Sequence, residues 1–216
     1  MMVKLDIFPG SLYCIRWNSM HKIPWRRGKM SSLNLEEYEV LNRDIHWGPV
    51  TAKFELTHLI EDESLVSNVS IIPFIGDQCV MIQLEDGRWE LIGGTLEPKE
   101  SYKDALKKRI NGRGGGGVNE LPHFFGQFRC TSCADSPFRP HIPHPDFIRA
   151  VVFGDVKIVG KPLNPEDGEK IAKVEAVDLD EAVRRLEEIR RYDIADLYRL
   201  AHRIRGSEQR FLARKG

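Results

Sequence analysis

The sequence lacks the features of several large classes of protein. It carries no net charge, because 32 lysines and arginines balance 32 aspartates and glutamates. This balance argues against an interaction of the whole domain with nucleic acid or anionic lipid. No run of about eighteen apolar residues occurs, as a membrane-spanning helix would need, and Lys4, Asp6 and Arg16 interrupt the N-terminal region where a signal peptide needs an unbroken apolar stretch. We therefore expect neither a nucleic-acid partner nor a membrane partner.

Cysteine is scarce as well. The chain contains four cysteines, too few for a disulfide scaffold, at Cys14, Cys79, Cys130 and Cys133. We therefore expect a reduced, cytoplasmic protein. Cys130 and Cys133 are followed by His141 and His144, which are four potential zinc ligands. Their spacing is not that of a standard zinc finger, and an ordinary loop with free thiols is the favoured interpretation.

The chain has 216 residues, enough for one domain with a sizeable core. Its 41% hydrophobic and 30% charged residues are an ordinary globular balance. We predict an N-terminal extension over residues 1–48 and one domain over residues 49–216 that includes two C-terminal helices. The first 29 residues show no clear helical or strand period. Met30 is a plausible initiator methionine for the natural protein. Two interpretations stay open for them: sequence upstream of the natural start, or an arm that packs on the domain.

The apolar pattern predicts strands and helices in a mixed order. Runs rich in β-forming residues predict strands within 51–60, 66–75, 78–84, 88–94, 123–130 and 147–159. A helix is predicted from Ser101 to about Ile110, and two amphipathic helices after Val174, with Asp178 or Asp180 as an N-cap. Because strands and helices do not alternate strictly, the expected class is α/β, with a mixed β-sheet and helices packed against it.

The stretch from Trp89 to Ser101 carries the chemistry. A strand ends in Gly93 and Gly94, a short loop carries Glu97 and Glu100, and a helix follows. This pattern resembles the beginning of the Nudix box: a glycine, five residues, a glutamate, seven residues, then Arg-Glu-apolar-any-Glu-Glu-any-Gly. Gly94 and Glu100 match its first two fixed positions.

The rest of the box matches in part. Lys108 stands where the family has arginine, Ile110 matches the apolar position, and Gly115 matches the late glycine. Ile92 stands where many members have proline. The resemblance to the MutT-like Nudix hydrolases covers roughly Val50 to Leu179 and implies an α/β/α sandwich with a mixed sheet.

The resemblance also implies an activity, the Mg²⁺-dependent hydrolysis of a nucleoside diphosphate linked to another moiety. Glu97 and Glu100 are the candidate ligands for Mg²⁺, or for Mn²⁺ in its place, and Glu100 is the candidate catalytic residue. A simpler role for Glu100 is a favourable charge at a helix N-terminus, and Glu97 could be a solvated loop residue. The implied partner is a small nucleotide derivative. A homodimer is compatible with the resemblance, although the sequence does not fix the oligomeric state.

The three remaining glutamate positions of the box depart from the family. They are occupied by Arg109, Gly112 and Arg113. Glutamates at such spacing share one face of a helix and hold the metal together with the loop glutamate, whereas two cations and a glycine cannot coordinate Mg²⁺. We therefore expect activity to be lost or weak in the sequence as written. The alternative is a catalytically inactive Nudix-fold module that binds a nucleotide.

Further candidates for substrate binding are Trp89, His141 and His144. Trp89 precedes the box on its strand and could stack on a base, although core packing is the simpler role. The two histidines lie in a Pro-rich loop that could face the site, although such loops are often merely polar. Gly93 and Gly94 are expected to serve backbone geometry.

A compensated frameshift would account for the altered box. Suppose that residues 107–115 are encoded AAA AAG AGA ATT AAT GGA AGA GGC GGG. Translation one base later then gives Lys-Arg-Glu-Leu-Met-Glu-Glu-Ala-Gly, which places every glutamate where the box requires it. The shift needs one extra base in an upstream run of A and one lost base in a downstream run of G. We therefore hypothesise a frameshift in the gene or in its sequencing.

The gene sequence across codons 105–119 tests this hypothesis. We expect codons compatible with the one-base offset, and resequencing of the natural gene should yield Arg-Glu-Leu-Met-Glu-Glu. A codon of the CGN type at Arg109 would refute the frameshift, because the offset frame would then read Asn or Ser in place of the box arginine. Independent substitutions would then account for the altered box.

Overall fold

A mixed β-sheet of ten strands forms the centre of the described structure. The computed structural model describes the backbone of residues 15–17, 33–111, 122–158 and 170–213, and the side chains of residues 33–106, 122–158 and 170–207. Within these ranges the strands, in chain order, are β1 (Ile15–Trp17), β2 (Ile45–Trp47), β3 (Val50–Leu56), β4 (Val66–Ile75), β5 (Gln78–Leu84), β6 (Trp89–Glu90), β7 (Ile92–Thr95), β8 (His123–Ser132), β9 (Asp146–Ile158) and β10 (Ile171–Val177).

Three α-helices and two short 3-10 helices accompany these strands in the described ranges. The α-helices are α1 (Tyr102–Asn111), α2 (Leu179–Glu188) and α3 (Tyr192–Ala213), and the 3-10 helices span Leu35–Glu37 and Glu63–Leu65. Among the described helices, none combines the length and the apolar composition that crossing a bilayer requires.

The main path through the sheet runs in the order β10-β5-β4-β9-β8-β3-β2. The pair β4–β9 is parallel, and the other pairs along this path are antiparallel. Off the path, β1 pairs with β9, β6 with β5, and β7 with β4. The mixed sheet predicted from the sequence is therefore confirmed.

The two faces of the sheet carry separate apolar clusters. Side chains alternate between the faces of a strand, so the neighbours Ile71 and Ile72 of β4 belong to different clusters. Ile71 packs in the cluster that includes Leu106 of α1. Ile72 packs in the cluster that includes Leu186 of α2 and Tyr198 of α3. Helices thus cover both faces, which confirms the α/β/α sandwich.

Helix α3 is fixed to the sheet by a buried hydrogen bond. Tyr198 is 1% exposed, and its hydroxyl donates to the carbonyl oxygen of Val80 in β5 at 2.7 Å. Burial raises the pKa of the Tyr198 hydroxyl well above its usual value, so the group stays a protonated donor. The bond therefore joins the helical layer to the strand beneath it.

One element differs from the sequence prediction. The segment from Val174 was predicted to begin a helix, but Ile171–Val177 is a strand that pairs with β5, and the helix begins at Leu179. The four residues 174–177 (VEAV) are too few to distinguish the period of a strand from that of a helix. Their pairing with β5 makes them part of a strand. Asp178 occupies the predicted N-cap position but makes no side-chain cap hydrogen bond.

The N-terminal region contributes to the same sheet. β1 lies within the first 29 residues and pairs with Val156–Ile158 of β9, and β2 pairs with β3. Tyr38 and Leu41 are buried in the cluster beneath α2 and α3. The rest of the first 32 residues lies outside the described residues, so the domain boundary near residue 48 and the natural start stay predictions.

Candidate functional site

The strand that leads into the box has no room for a side chain at Gly93. Gly93 and Gly94 of β7 pair with Ser70 and Val69 of β4. A Cβ atom on Gly93 would lie 2.0 Å from the carbonyl oxygen of Val69, far inside van der Waals contact. Both glycines also have positive φ angles, 157° and 147°. Gly93 is therefore a backbone requirement of the β7–β4 pairing.

The box loop, which we define as residues 96–101, is closed by its own glutamate. The carboxylate of Glu100 accepts a hydrogen bond from the backbone N–H of Glu97 at 2.9 Å. In return, the backbone N–H of Glu100 donates to the carbonyl oxygen of Glu97 at 3.0 Å. Between them, Lys99 has a positive φ of 65°. The structure therefore brings Glu97 and Glu100 together and gives the Glu100 carboxylate a part in shaping the loop.

The donors in the described residues do not fit a Nudix-type Mg²⁺ centre. No group of three or more His, Cys, Asp or Glu side chains that could hold a metal occurs in the described part of the chain. Arg109 lies on α1, but its side chain is not described, and Gly112 and Arg113 lie outside the described residues. Two loop carboxylates, with cations or glycine at the other box positions, form too small a donor set for this hard cation.

The predicted histidines lie on a loop beside the box. His141 donates from Nε2 to the carbonyl oxygen of Leu96 at 2.8 Å, which ties this loop to the box loop. His144 donates from Nε2 to the carbonyl oxygen of Ala134 within its own loop, at 2.9 Å, and lines the neighbouring cleft. The structure thus places His141 against the box loop and His144 at the cleft.

That cleft lies between strand residues and the loop of residues 133–145, and most of its lining was not predicted from the sequence. Its apolar lining includes Trp47, Phe138 and Phe147, which we call the wall, and its polar lining includes Asn68, Thr95 and Arg149, which we call the floor. Asn68 of β4 pairs with Thr95 of β7 on one side and with Arg149 of β9 on the other. The Asn68 side-chain N–H also donates to the Thr95 hydroxyl at 3.0 Å. The floor is therefore one row of residues across three adjacent strands.

Arg149 is the charged member of this floor. Its guanidinium lies over the ring of Trp47, with 4.7 Å to the ring centroid, a distance typical of a cation–π contact. The sequence offered one signal for it, a single charge inside the apolar run FIRAVVF. Trp47 gave no comparable signal, because it lies in a short strand that the pattern did not predict.

Trp89 lies away from this cleft. It is 9% exposed and belongs to the apolar cluster beneath α2 and α3. The guanidinium of Arg185 covers its ring, with 4.9 Å to the ring centroid. This position favours core packing over stacking on a base. Its neighbour Glu90 is also buried and is paired with Arg191.

Cys130 and Cys133, two of the potential zinc ligands, lie in different environments. Cys130 is 2% exposed, whereas Cys133 is exposed. Burial raises the pKa of the Cys130 thiol to about 12, so almost none of it is thiolate near neutral pH. A thiol must lose its proton to bind a metal. The favoured role of Cys130 is therefore that of an apolar core residue.

Replacement of Gly93 by alanine tests the close approach of β7 to β4. We expect Gly93→Ala to lower the free energy of unfolding by about 3 kcal/mol or more, because the new Cβ must push two backbones apart. Urea unfolding measures the effect. Gly87→Ala is the matched control, since Gly87 also has a positive φ, 85°, but its Cβ would meet no atom within 4 Å. Equal losses in the two variants would mean that the strand contact is not the constraint.

Comparison with known proteins adds to this geometry. No curated protein matches the chain. Among solved structures, it is 17% identical to the MutT protein of Methanosarcina mazei, covering 68% of this chain and 99% of that chain with a TM-score of 0.42. It is 19% identical to a mutant of a Bacillus subtilis pyrophosphohydrolase, covering 59% of this chain and 72% of that chain with a TM-score of 0.39.

The family assignment comes from a separate comparison with models of protein families. The model of the NUDIX domain matches residues 65–198, which is more than half of the chain. The matched residues run from the start of β4 into α3 and include the box loop and the floor of the cleft. The chain therefore belongs to the NUDIX domain family.

Proposed function

We propose that this chain binds a nucleoside-diphosphate derivative in the cleft beside the box loop and, as written, hydrolyses it weakly or not at all. The observation that carries the proposal is the difference between an intact cleft and an altered box. The cleft keeps an aromatic wall and a polar floor, whereas Arg109, Gly112 and Arg113 replace the box glutamates. Binding and hydrolysis are therefore separated in this chain.

The chemistry of the cleft supports a nucleotide ligand. Small-molecule sites are lined mainly by apolar and aromatic side chains with a few placed polar groups. Trp47, Phe138 and Phe147 supply aromatic surface on which a base can stack. Asn68 and Arg149 supply donors for the polar part of the ligand. This pattern of apolar wall and cationic floor matches a molecule with a flat base and a negative diphosphate.

The charge of the box supports binding without a metal. Three carboxylates would repel a diphosphate unless a cation lay between them, which is one task of Mg²⁺. In this sequence the same three positions carry two positive charges and no negative one. The repulsion is therefore absent, but so are the carboxylates that could hold a metal or take a proton from water. The remaining box carboxylate, Glu100, is engaged by the N–H of Glu97.

A second candidate function is the Mg²⁺-dependent hydrolysis of the same ligand, with Mn²⁺ as a substitute. It applies if the natural gene encodes the glutamates, as the one-base offset across residues 107–115 suggests. The restored glutamates would join Glu100 as metal ligands, and one of them or a loop residue would serve as a base. For either function we propose a reduced, cytoplasmic setting; the described cysteines Cys79, Cys130 and Cys133 are free.

Calorimetry with ADP-ribose and with a nucleotide sugar tests the main proposal. We expect the dissociation constant to be the same in Mg²⁺ and in EDTA, because the chain offers no complete metal site, and we expect no product after prolonged incubation. Steady turnover in Mg²⁺ would show that the altered box is still catalytic. Failure to bind either ligand would instead favour a defective enzyme from a decaying gene.

Restoring the box tests the link between its charges and catalysis. We expect the triple change Arg109→Glu, Gly112→Glu and Arg113→Glu to create Mg²⁺-dependent hydrolysis of a ligand that the parent chain binds. The matched control changes the same three positions to Gln, which has a similar size but no charge. We expect product formation about 100-fold or more above this control, the scale of a general base's contribution. Equal rates in the two variants would mean that the glutamates are not what the chain lacks.

A further inference from the structure

A cation without a polar partner lies on the floor of the cleft. The Nε atom of Arg149 is shielded from solvent and has no hydrogen-bond partner among the described residues. The guanidinium also makes no ion pair within the described part of the chain, and it lies over the face of Trp47. An arginine carries five N–H donors in a rigid plane. Most of its hydrogen-bonding capacity is therefore unused.

Other buried or partly buried arginines of the described structure are neutralised. Arg205, 5% exposed, pairs with Asp155 at 2.7 Å. Arg191 pairs with Glu90 and, at 3.1 Å, with Asp193. Arg185 pairs with Glu175 at 2.7 Å. The fold thus supplies a carboxylate wherever these cations are withdrawn from water, and Arg149 departs from this pattern.

An unpaired, desolvated cation destabilises a folded chain. Burial is the main cause that lowers the pKa of Arg149; Cys130, Glu90 and Asp193 act against it, and Arg191 adds to it. An arginine nevertheless stays charged in a protein. Contact with Trp47 offsets part of the cost. It also fixes the guanidinium plane, so that the donors at its edge have a set direction. A fixed plane of free donors is suited to an anion.

The position of Arg149 relates this anion to the box. Arg149, Asn68 and Thr95 lie side by side on β9, β4 and β7, where adjacent strands are about 4.8 Å apart. Thr95 is followed directly by Leu96 of the box loop. The row therefore extends from the guanidinium to the point where the box begins, two strands away.

We propose that Arg149, held on the face of Trp47, binds a phosphate group of the ligand. The inference rests on the proposed nucleotide-binding function and names the residue that would recognise the diphosphate. Asn68 lies between Arg149 and Thr95 and extends the donor row toward the box. The base of the ligand would then occupy the aromatic part of the cleft. Affinity for the phosphate and affinity for the base would depend on different side chains.

Paired titrations with adenosine and ADP in EDTA test this assignment. In the parent chain we expect ADP to bind about 10- to 100-fold more tightly than adenosine, the scale of hydrogen bonds to a charged group. We expect Arg149→Met to abolish that difference and to leave adenosine affinity within about twofold. Arg149→Lys keeps the charge without the planar fork and should keep part of the difference. Arg43→Met, at a surface pair with Glu39, is the control and should change neither ligand.

The thermal stability of Arg149→Met without ligand shows whether Arg149 has a structural role instead of a role in ligand binding. We expect the midpoint of thermal unfolding of Arg149→Met to equal or exceed that of the parent, because an unpaired cation is removed. A lower midpoint, or a variant that does not fold, would assign the guanidinium to the structure and contradict the proposal. An equal loss of adenosine and ADP affinity would contradict it as well.

Inorganic pyrophosphate separates this inference from the proposed function. If the parent chain binds neither adenosine nor ADP, the nucleotide proposal fails, and pyrophosphate then decides about Arg149. Binding of pyrophosphate by the parent and its loss in Arg149→Met would retain an anion site without a nucleotide. Absence of pyrophosphate binding by the parent, or equal binding by both chains, would overturn the anion site too.

Discussion

The contact between two backbones at Gly93 determines most of the geometry of this site. β7 approaches β4 so closely that the carbonyl oxygen of Val69 occupies the space that a Cβ atom would need. This approach puts Thr95, the last residue before the box loop, beside Asn68 in the lining of the cleft. Asn68 in turn pairs with Arg149 on the parallel strand β9. One steric requirement therefore positions both the loop that carries the glutamates and the floor that would receive a ligand.

The cleft and the box loop are adjacent along β7, but different side chains form them. The box loop is held by Glu100 on one side and by His141, which donates to Leu96, on the other. Neither contact involves Arg109, Gly112 or Arg113, the residues that replace the box glutamates. The altered positions therefore leave intact the interactions that shape the described part of the site. The contacts that shape the described part of the site are thus independent of the residues at the altered positions.

The sequence predicted the layers better than it predicted the site. Alternating or continuous apolar runs rich in β-forming residues placed β4, β5, β8 and β9 within a few residues of their observed bounds, because strands buried on both faces read as nearly continuous apolar runs. The same signal failed at β10, where the short segment from Val174 fits a helix as well as a strand. Gly93, Gly94, Glu97 and Glu100 could be selected as candidates because one motif carries them in a single stretch. The cleft was missed because its members come from strands far apart in the chain.

Register explains why such a cleft is hard to predict. Trp47, Asn68 and Arg149 meet because β2, β4 and β9 are aligned by pairings, including the parallel pairing of β4 with β9, that local periodicity does not specify. A charge such as Arg149 within an apolar strand is a visible anomaly, but its meaning depends on what the sheet places beside it. A carboxylate would make it part of the core, as Asp155 does for Arg205. Arg149 instead contacts an aromatic face and lines a cleft, and this setting is the reason for the anionic ligand that we propose.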